Sequence, residues 1–267
     1  MRRAVVAIAL AGCGFKPGAS SDARNDVIDA DLGGLEKSPG SEPLPVAPCF
    51  TTTTDGLVLC LELDDPGLAT AKDGSGLHHD AIISAANVAT RDVPAQSQAA
   101  QIISTSIIDV DESPDFDFQT LTVMAWVHPE GTQAAGGQYG LVHNRGQYYM
   151  SIDDQGRVFC AIESGVTAYV RPGDIIPLNT WSVAACTYDG SSMCSYVFPA
   201  GSTAAGVCGS VSKTLNTTFT DGLSIGSIAT QGGGHTSHLA GKLDSVRVFS
   251  RALTKTEICT SSGISGC

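Results

Sequence analysis

Few residues of this sequence have both the type and the spacing that catalysis requires. Glu62 and Asp64 alternate along one predicted strand, so both carboxylates face the same side, as hydrolysis of a glycosidic bond requires. The chain continues with residues 65–67, Asp-Pro-Gly, and offers no third carboxylate at strand spacing. We therefore interpret the pair as the polar end of a strand.

Two further patterns match catalytic or metal-binding motifs. Residues 222–226, Gly-Leu-Ser-Ile-Gly, fit the nucleophile-elbow pattern, but that elbow needs a strand-to-helix turn in an α/β sheet. The segment lies inside an alternating strand, so we interpret the match as chance. His78-His79 and the pair His235 and His238 offer imidazoles for zinc, but no Cys or carboxylate stands at metal-site spacing from them. We predict that these histidines are polar loop residues.

A calcium site is the better metal hypothesis. Asp73, Ser75 and Asp80 supply carboxylate and hydroxyl oxygens within one glycine-containing loop. Calcium prefers oxygen ligands from carboxylates and loop carbonyls. The alternative is an Asx-type turn that these side chains stabilise by themselves.

The elements that position these residues are predicted to be strands. Short apolar runs are separated by turn residues, which predicts an all-β antiparallel sandwich. Helical signals occur only near the C-terminus, where Thr254 and Glu257 form a capping box at the start of a helix over 255–261. The runs that we predict as strands are 57–63, 120–127, 148–152, 158–162, 182–188, 195–198, 223–228 and 243–249.

The composition excludes several classes of protein. Lys and Arg number 15 against 27 Asp and Glu, so the formal charge is −12 and the chain lacks the basic clusters that bind nucleic acid. No run of 18 apolar residues occurs, so no helix is predicted to span a bilayer. The nine cysteines indicate an oxidising compartment.

The N-terminus has the pattern of an export signal. Arg2 and Arg3 precede an apolar run over 4–11. Residues 10–13, Leu-Ala-Gly-Cys, resemble the lipobox of bacterial lipoproteins. This resemblance implies a signal peptide over 1–12, lipid on Cys13 that holds the protein at the membrane, and, because Gly14 follows, sorting to the outer membrane.

The rest of the chain divides into a tether and one domain. Residues 13–48 are rich in Ser, Pro, Gly, Asp and Ala and are predicted to form a disordered tether. Residues 49–267 carry the strand pattern and are predicted to form a single sandwich domain.

Four segments of this domain, in order, resemble the LamG-like family of jelly rolls. They are the Asp-Gly-Ser-Gly loop that runs on to Asp80, the Trp126 strand over 121–129, the Trp-to-Asp-Gly hairpin over 181–190, and the closing strand and helix over 241–258. The resemblance implies the concanavalin A-like sandwich of two antiparallel sheets. That superfamily contains lectins, adhesion modules, carbohydrate-binding modules and some glucanases, so the fold does not by itself decide the function.

The resemblance also adds to the metal and disulfide predictions. It places the first and last strands side by side, which brings Asp244 into the candidate calcium site. It makes the strands of Cys160 and Cys186 neighbours, which implies a bond between them.

The remaining cysteines leave alternatives open. With Cys13 used for lipid, Cys194 and Cys208 flank a predicted hairpin and are expected to pair. The four cysteines at the two ends pair locally, as Cys49–Cys60 and Cys259–Cys267, or cross-link the termini, for example as Cys49–Cys267.

Taken together, these patterns favour a lipid-anchored, non-catalytic module of the cell envelope. Its expected ligand is a glycan or another extracellular polymer, bound at the loop edge or on the concave sheet. Trp126 and Trp181 are expected in the core. The alternatives are a structural or protein-interaction module of the envelope and a diverged glycoside hydrolase. The candidates for stacking on sugar rings are Tyr139, Tyr148, Tyr149 and Tyr169.

Overall fold

A computed structural model of the chain provides the architecture. The residues that it describes are 49, 54–64, 69–84, 87–90, 98–163, 168–170, 175–199, 206–218 and 221–264. The predicted signal peptide, the predicted tether and Cys13 lie outside these ranges. The described residues belong to one unit, Glu42–Cys267.

The described residues form mostly strands, which confirms the all-β prediction. The helix α1 spans Lys255–Ser262, and a short 3-10 turn spans Pro114–Phe116. In chain order the strands are β1 (Leu57–Leu61), β2 (Thr70–Ala71), β3 (Ala81–Ser84), β4 (Asn87–Thr90), β5 (Gln98–Ile102), β6 (Ile107–Val110), β7 (Leu121–Pro129), β8 (Gln138–Asn144), β9 (Tyr148–Asp153), β10 (Val158–Ile162), β11 (Ala168–Val170), β12 (Ser182–Tyr188), β13 (Ser192–Pro199), β14 (Gly206–Ser210), β15 (Leu223–Ile225), β16 (Ile228–Ala229), β17 (His235–Thr236) and β18 (Gly241–Phe249).

Two eight-stranded antiparallel sheets make the sandwich. The first has the order β14-β13-β12-β7-β18-β5-β4, with β1 also paired to β18. The second has the order β11-β10-β9-β8-β15-β6-β3-β2, and β16 and β17 form a separate two-stranded hairpin. This is the predicted jelly-roll arrangement, with every named pair of strands antiparallel.

Alternation of side chains explains how the sheets bury a common core. Along β9, Tyr148, Met150 and Ile152 belong to the apolar cluster between the sheets, whereas Tyr149 lies on the outer face. Successive side chains of a strand point to opposite faces, so an apolar residue at every second position is enough to build the core.

The last strand is central to the first sheet. One side of β18 pairs with β7 along most of its length, and the other side pairs with β5 and then with β1. A bulge between Asp244 and Arg247 interrupts the register with β7. Strands from both ends of the chain therefore meet at β18.

A second apolar cluster lies on the outer side of the first sheet, under α1. Trp126, Trp181 and Ile258 are buried there, and Trp126 Nε1 donates a hydrogen bond of 3.2 Å to the Ser262 carbonyl. Both tryptophans are core residues, as predicted. The capping box of Thr254 and Glu257 is also present. Among the described residues, no helix has the length and hydrophobicity to cross a membrane.

Three disulfides join described residues, and all three were predicted. The bonds are Cys49–Cys60, Cys160–Cys186 and Cys194–Cys208. Cys160 lies on β10 of the second sheet and Cys186 on β12 of the first, so their bond crosses the core. Cys259 is also disulfide-bonded, and its predicted partner, Cys267, lies outside the described residues.

Candidate ligand-binding face

One row of residues crosses the whole outer face of the second sheet. The strand pairings place one residue from each of the eight strands side by side. In the central strands, the residues that flank each row position along its strand point into the core. Adjacent strands lie about 4.8 Å apart, so the row is about 34 Å long. In order across the sheet, the positions are Thr70, Ile82, Asp109, Ser224, His143, Tyr149, Ala161 and Tyr169. For Tyr169 the structure describes the backbone position only.

A histidine from the separate hairpin lies over the centre of this row. His235 Nδ1 is 3.0 Å from Ser224 Oγ and 3.0 Å from Ser227 Oγ, and the two hydroxyl oxygens are 2.9 Å apart. His235 Nε2 is 3.1 Å from Asp109 Oδ2. Burial raises the pKa of Asp109, while the nearby His235 opposes the rise. The imidazole thereby fastens the hairpin to β6 and β15.

Asp109, His235 and Ser224 are linked in the same order as the acid, base and nucleophile of a catalytic triad. The surroundings of Ser224, however, differ from those of a catalytic nucleophile. Ser224 is 1 % exposed and lies in the middle of β15, without the exposed turn that presents a nucleophile to substrate. Sequence reasoning identified the serine motif and His235 but missed Asp109, because no spacing rule links residue 109 to residue 224.

An aromatic group continues the row beside this cluster. The ring centroids of His143 and Tyr149 are 5.3 Å apart, and those of Tyr149 and Phe159 are 5.8 Å apart in an edge-on arrangement. Tyr149 is partly exposed, whereas His143 is 6 % exposed. Burial, followed by the positive charges of Arg145 and His235, lowers the pKa of His143 to about 4. His143 is therefore neutral at pH 7, and its Nδ1 has no hydrogen-bond partner among the described residues.

The predicted stacking residues separate into different environments. Tyr149 lies on the outer face, so it remains a candidate. Tyr148 was a wrong prediction, because the alternation of β9 turns it into the core, where it is 1 % exposed. Tyr139 is 7 % exposed and belongs to the core cluster, and the side chain of Tyr169 lies outside what the structure describes.

Tyr139 also borders a cavity at the loop edge of the sandwich. The cavity has a volume of about 230 Å³ and lies between the 130–137 loop, the turn from β9 to β10 and residues 175–178. Ile175 and Leu178 on its rim are 57 % and 44 % exposed. This volume is slightly below the usual range of small-molecule sites, about 300–1,000 Å³.

The candidate calcium loop is held by its own hydrogen bonds. Asp73 Oδ1 accepts from the amides of Cys60 and Ser75, each at 2.9 Å. Asp73 Oδ2 accepts from the His79 amide at 3.0 Å and lies 2.6 Å from Ser75 Oγ. These contacts match the Asx-turn alternative.

Asp80 and Asp244, which were also predicted as calcium ligands, do not complete a cluster of metal ligands with Asp73. Asp80 Oδ1 accepts from the Asp73 amide at 3.0 Å, and its second oxygen pairs with Lys72. Asp244 is buried in β18, with Oδ1 3.3 Å from Ser245 Oγ. In the described part of the chain, these aspartates form no group of three ligand atoms within 4.8 Å. Calcium at this loop stays a prediction.

Glu62 and Asp64, the two acids considered for glycoside hydrolysis, form polar contacts within the domain. Glu62 Oε1 accepts from the Cys49 amide at 2.6 Å and is 3.8 Å from Arg247 Nη2, a side chain that is fully buried. Asp64 Oδ1 accepts from the Gln98 amide at 2.7 Å. Glu62 also lies with Cys49 and Cys60 in a group of potential metal ligands, but those sulfurs form a disulfide.

Solved structures of sugar-binding proteins share this fold. A binding domain of botulinum neurotoxin DC in complex with SialylT has a TM-score of 0.54 and 12 % identity, covering 77 % of this chain and 50 % of that one. Domain 4 of AbnA, an arabinanase from Geobacillus stearothermophilus in complex with arabinotriose, has a TM-score of 0.53 and 17 % identity, covering 77 % and 98 %. Trypanosoma rangeli sialidase in complex with sialic acid has a TM-score of 0.52 and 17 % identity, covering 83 % and 35 %.

These likenesses concern the fold, and this chain spans only half of the toxin domain structure and about a third of the sialidase. A comparison with curated proteins finds no match. Residues 104–259, more than half of the 267-residue chain, match the family model described as the concanavalin A-like lectin/glucanases superfamily. With the two antiparallel sheets, this match shows that the chain belongs to the concanavalin A-like lectin/glucanase superfamily.

Proposed function

We propose that this protein is a non-catalytic glycan-binding module whose ligand lies along the row on the outer face of the second sheet. The observation that supports this most is the partly exposed ring of Tyr149, held between His143 and Phe159 in the middle of that face. An aromatic ring held by neighbouring rings offers an apolar surface to a sugar at little conformational cost.

Polar groups next to Tyr149 suit the hydroxyls of a sugar. The Nδ1 atom of His143 is buried without a hydrogen-bond partner among the described residues, which costs free energy unless a ligand or a water satisfies it. Because His143 is neutral at pH 7, it pairs with hydroxyl groups without needing an anionic ligand. Asp109, whose side chain is 40 % exposed, provides an acceptor further along the row.

The structural neighbours support a sugar ligand in general terms. The structures of a botulinum toxin binding domain and an arabinanase domain contain SialylT and arabinotriose respectively. Their low identity to this chain gives no guide to which sugar it prefers.

Glycan arrays with purified protein test this function. We expect binding by the wild type and loss of most of it in Tyr149→Ala. The matched control is Tyr196→Ala, which removes a partly buried tyrosine from the outer side of the first sheet, where its ring stacks on Phe198. Equal glycan binding by both variants would refute the proposed face. Absence of binding to any glycan would favour a structural or protein-interaction module of the envelope.

We further propose that the domain is anchored to the outer membrane through lipid on Cys13. The support is the Leu-Ala-Gly-Cys sequence after a short apolar run. Mass spectrometry of the N-terminal peptide from the membrane fraction should show acylation at Cys13, and Cys13→Ala should move the protein to the soluble fraction. An unmodified Cys13 in the mature protein would exclude the anchor.

A further inference from the structure

The disulfide between Cys194 and Cys208 lies at the surface, unlike the other two bonds between described residues. Cys208 is exposed and Cys194 is partly exposed. The remaining disulfide-bonded cysteines among the described residues are at most 3 % exposed, and they are Cys49, Cys60, Cys160, Cys186 and Cys259. Reduction requires a thiolate to reach a disulfide sulfur, so its rate depends on access. A reductant can therefore reach Cys194–Cys208 while the domain stays folded, whereas the two buried bonds require the domain to open.

The two exposed cysteines occupy directly opposite positions on neighbouring strands. β14 is the last strand of the first sheet, and its Cys208 pairs in register with Cys194 of β13, with Cα atoms 4.0 Å apart. Backbone hydrogen bonds alone hold directly opposite residues of antiparallel strands about 4.5–5.5 Å apart. The two sulfurs therefore stay side by side after the bond between them is opened, and the bond can form again without rearrangement of the chain.

Contacts other than the disulfide also hold β14 in place. At its first residue, Gly206, a Cβ atom would overlap the ring of Tyr196, so this ring lies directly against the β14 backbone. Just after β14, the Val211 amide donates a hydrogen bond of 2.9 Å to the Ser191 carbonyl. The disulfide joins residues only 14 positions apart, and a cross-link that closes a short loop stabilises less than one that closes a long loop. Loss of this bond should therefore leave the fold intact.

We propose that Cys194–Cys208 is a thiol–disulfide exchange site, at which a dithiol reductant opens the bond and a disulfide oxidant re-forms it while the domain stays folded. Exposed disulfides are reduced more readily than the buried structural bonds of secreted proteins. Cys49–Cys60 and Cys160–Cys186 stay closed under the same conditions, because their sulfurs are buried. The site lies on the first sheet and is separate from the row on the second sheet.

The exchange takes place by two thiolate attacks. The first thiolate of the dithiol attacks the sulfur of Cys208, the more exposed residue, and the sulfur of Cys194 leaves as a thiolate that takes up a proton. The second thiolate of the reductant then attacks the reductant's own sulfur in the mixed disulfide, and Cys208 leaves in the same way. Two electrons and two protons pass from the dithiol to the protein, and the reductant becomes a disulfide.

Reduction of the native full chain, followed by alkylation and peptide mapping, tests this site. Thiols that are free at the start are blocked with N-ethylmaleimide, millimolar dithiothreitol is added without denaturant, and new thiols are trapped at intervals with excess iodoacetamide. We expect Cys194 and Cys208 to be labelled at least about a hundredfold faster than the cysteines of the two buried bonds, because those bonds react only in the small opened population. After removal of dithiothreitol, oxidised glutathione should restore the Cys194–Cys208 pairing. Equal labelling of a buried bond, or no label on Cys194 and Cys208 until urea is added, would overturn the proposal.

Low concentrations of urea distinguish direct access from reaction through unfolding. Below the unfolding transition, the labelling rate of Cys194 and Cys208 should not change with urea, while the rates of the buried bonds should rise. A rate at Cys194 and Cys208 that rises as steeply as unfolding itself would contradict the proposed site. The double variant Cys194→Ser and Cys208→Ser should keep the circular dichroism spectrum of the wild type. An unfolded variant would show that the bond is structural, and exchange in the folded protein would then be excluded.

Discussion

Acid should destabilise this fold through one buried histidine. His143 is 6 % exposed on β8, and its pKa is lowered from 6.5 to about 4 by burial, then by the charges of Arg145 and His235. Above pH 6.5 the residue is neutral in both the folded and the unfolded chain. Between pH 6.5 and 4 the unfolded chain takes up a proton at this residue and the folded protein does not. The free energy of unfolding therefore falls as the pH falls through this window.

The magnitude follows from the two pKa values. A change from 6.5 to about 4 corresponds to about 3 kcal/mol, and all of it is lost once the pH reaches about 4. Small domains are stable by only about 5–15 kcal/mol, so the loss from one residue is measurable. Other groups titrate in the same range, so the effect of His143 must be isolated by a variant.

Urea unfolding of the wild type and of His143→Gln, each at about pH 7 and about pH 4, isolates the contribution of His143 to the loss of stability. Glutamine keeps polarity and similar size but does not titrate, so the variant should lose about 3 kcal/mol less than the wild type over this range. His78→Asn is the control, because His78 is exposed and should leave the difference unchanged. Equal losses in the wild type and His143→Gln would refute the reasoning about His143.

Three further predictions concern stability, and urea unfolding measures each of them. Gly140→Ala should destabilise by about 1–3 kcal/mol, because a Cβ atom there would overlap the backbone of Ser227; unchanged stability would contradict this close packing. The double variant Cys160→Ala and Cys186→Ala should lose roughly 3.5 kcal/mol, as expected for opening a loop of 26 residues, and an unaltered midpoint would show that the bond is dispensable. Thr254→Ala should cost about 1 kcal/mol by removing the helix cap, while Thr254→Ser should restore most of it.

The general fold was predictable because its signals are local. Alternating runs and turn residues indicate strands wherever a strand has one buried face, and the capping box starts α1 at Lys255 as predicted. β8 was missed: its segment carries Gly140, His143 and Asn144 and lacks an apolar run. That strand places His143, so the centre of the proposed ligand-binding face could not be recognised from the sequence.

For one strand, the sequence also could not predict which residues face the core and which face outward. Tyr148 and Tyr149 are adjacent on β9, so one must face the core and the other must face outward. Two aromatic residues in succession carry no signal for which is which, and the packing of Phe118 against Tyr148 settles it. Contacts such as Asp109 with His235 and Gln147 with Asp117 join distant positions, which local patterns do not reveal.

The place of β18 at the centre of the first sheet affects how the chain folds during synthesis. β1, β5 and β7 are made first, and all three pair with a strand that begins only at Gly241. Until that strand is available, each of them presents unpaired backbone groups, and such edges attract other strands. A nascent or prematurely terminated chain that lacks β18 should therefore aggregate readily, and long-range pairing of this kind makes folding slow. Completion of this late segment, rather than of the N-terminal strands, is the step that closes the first sheet.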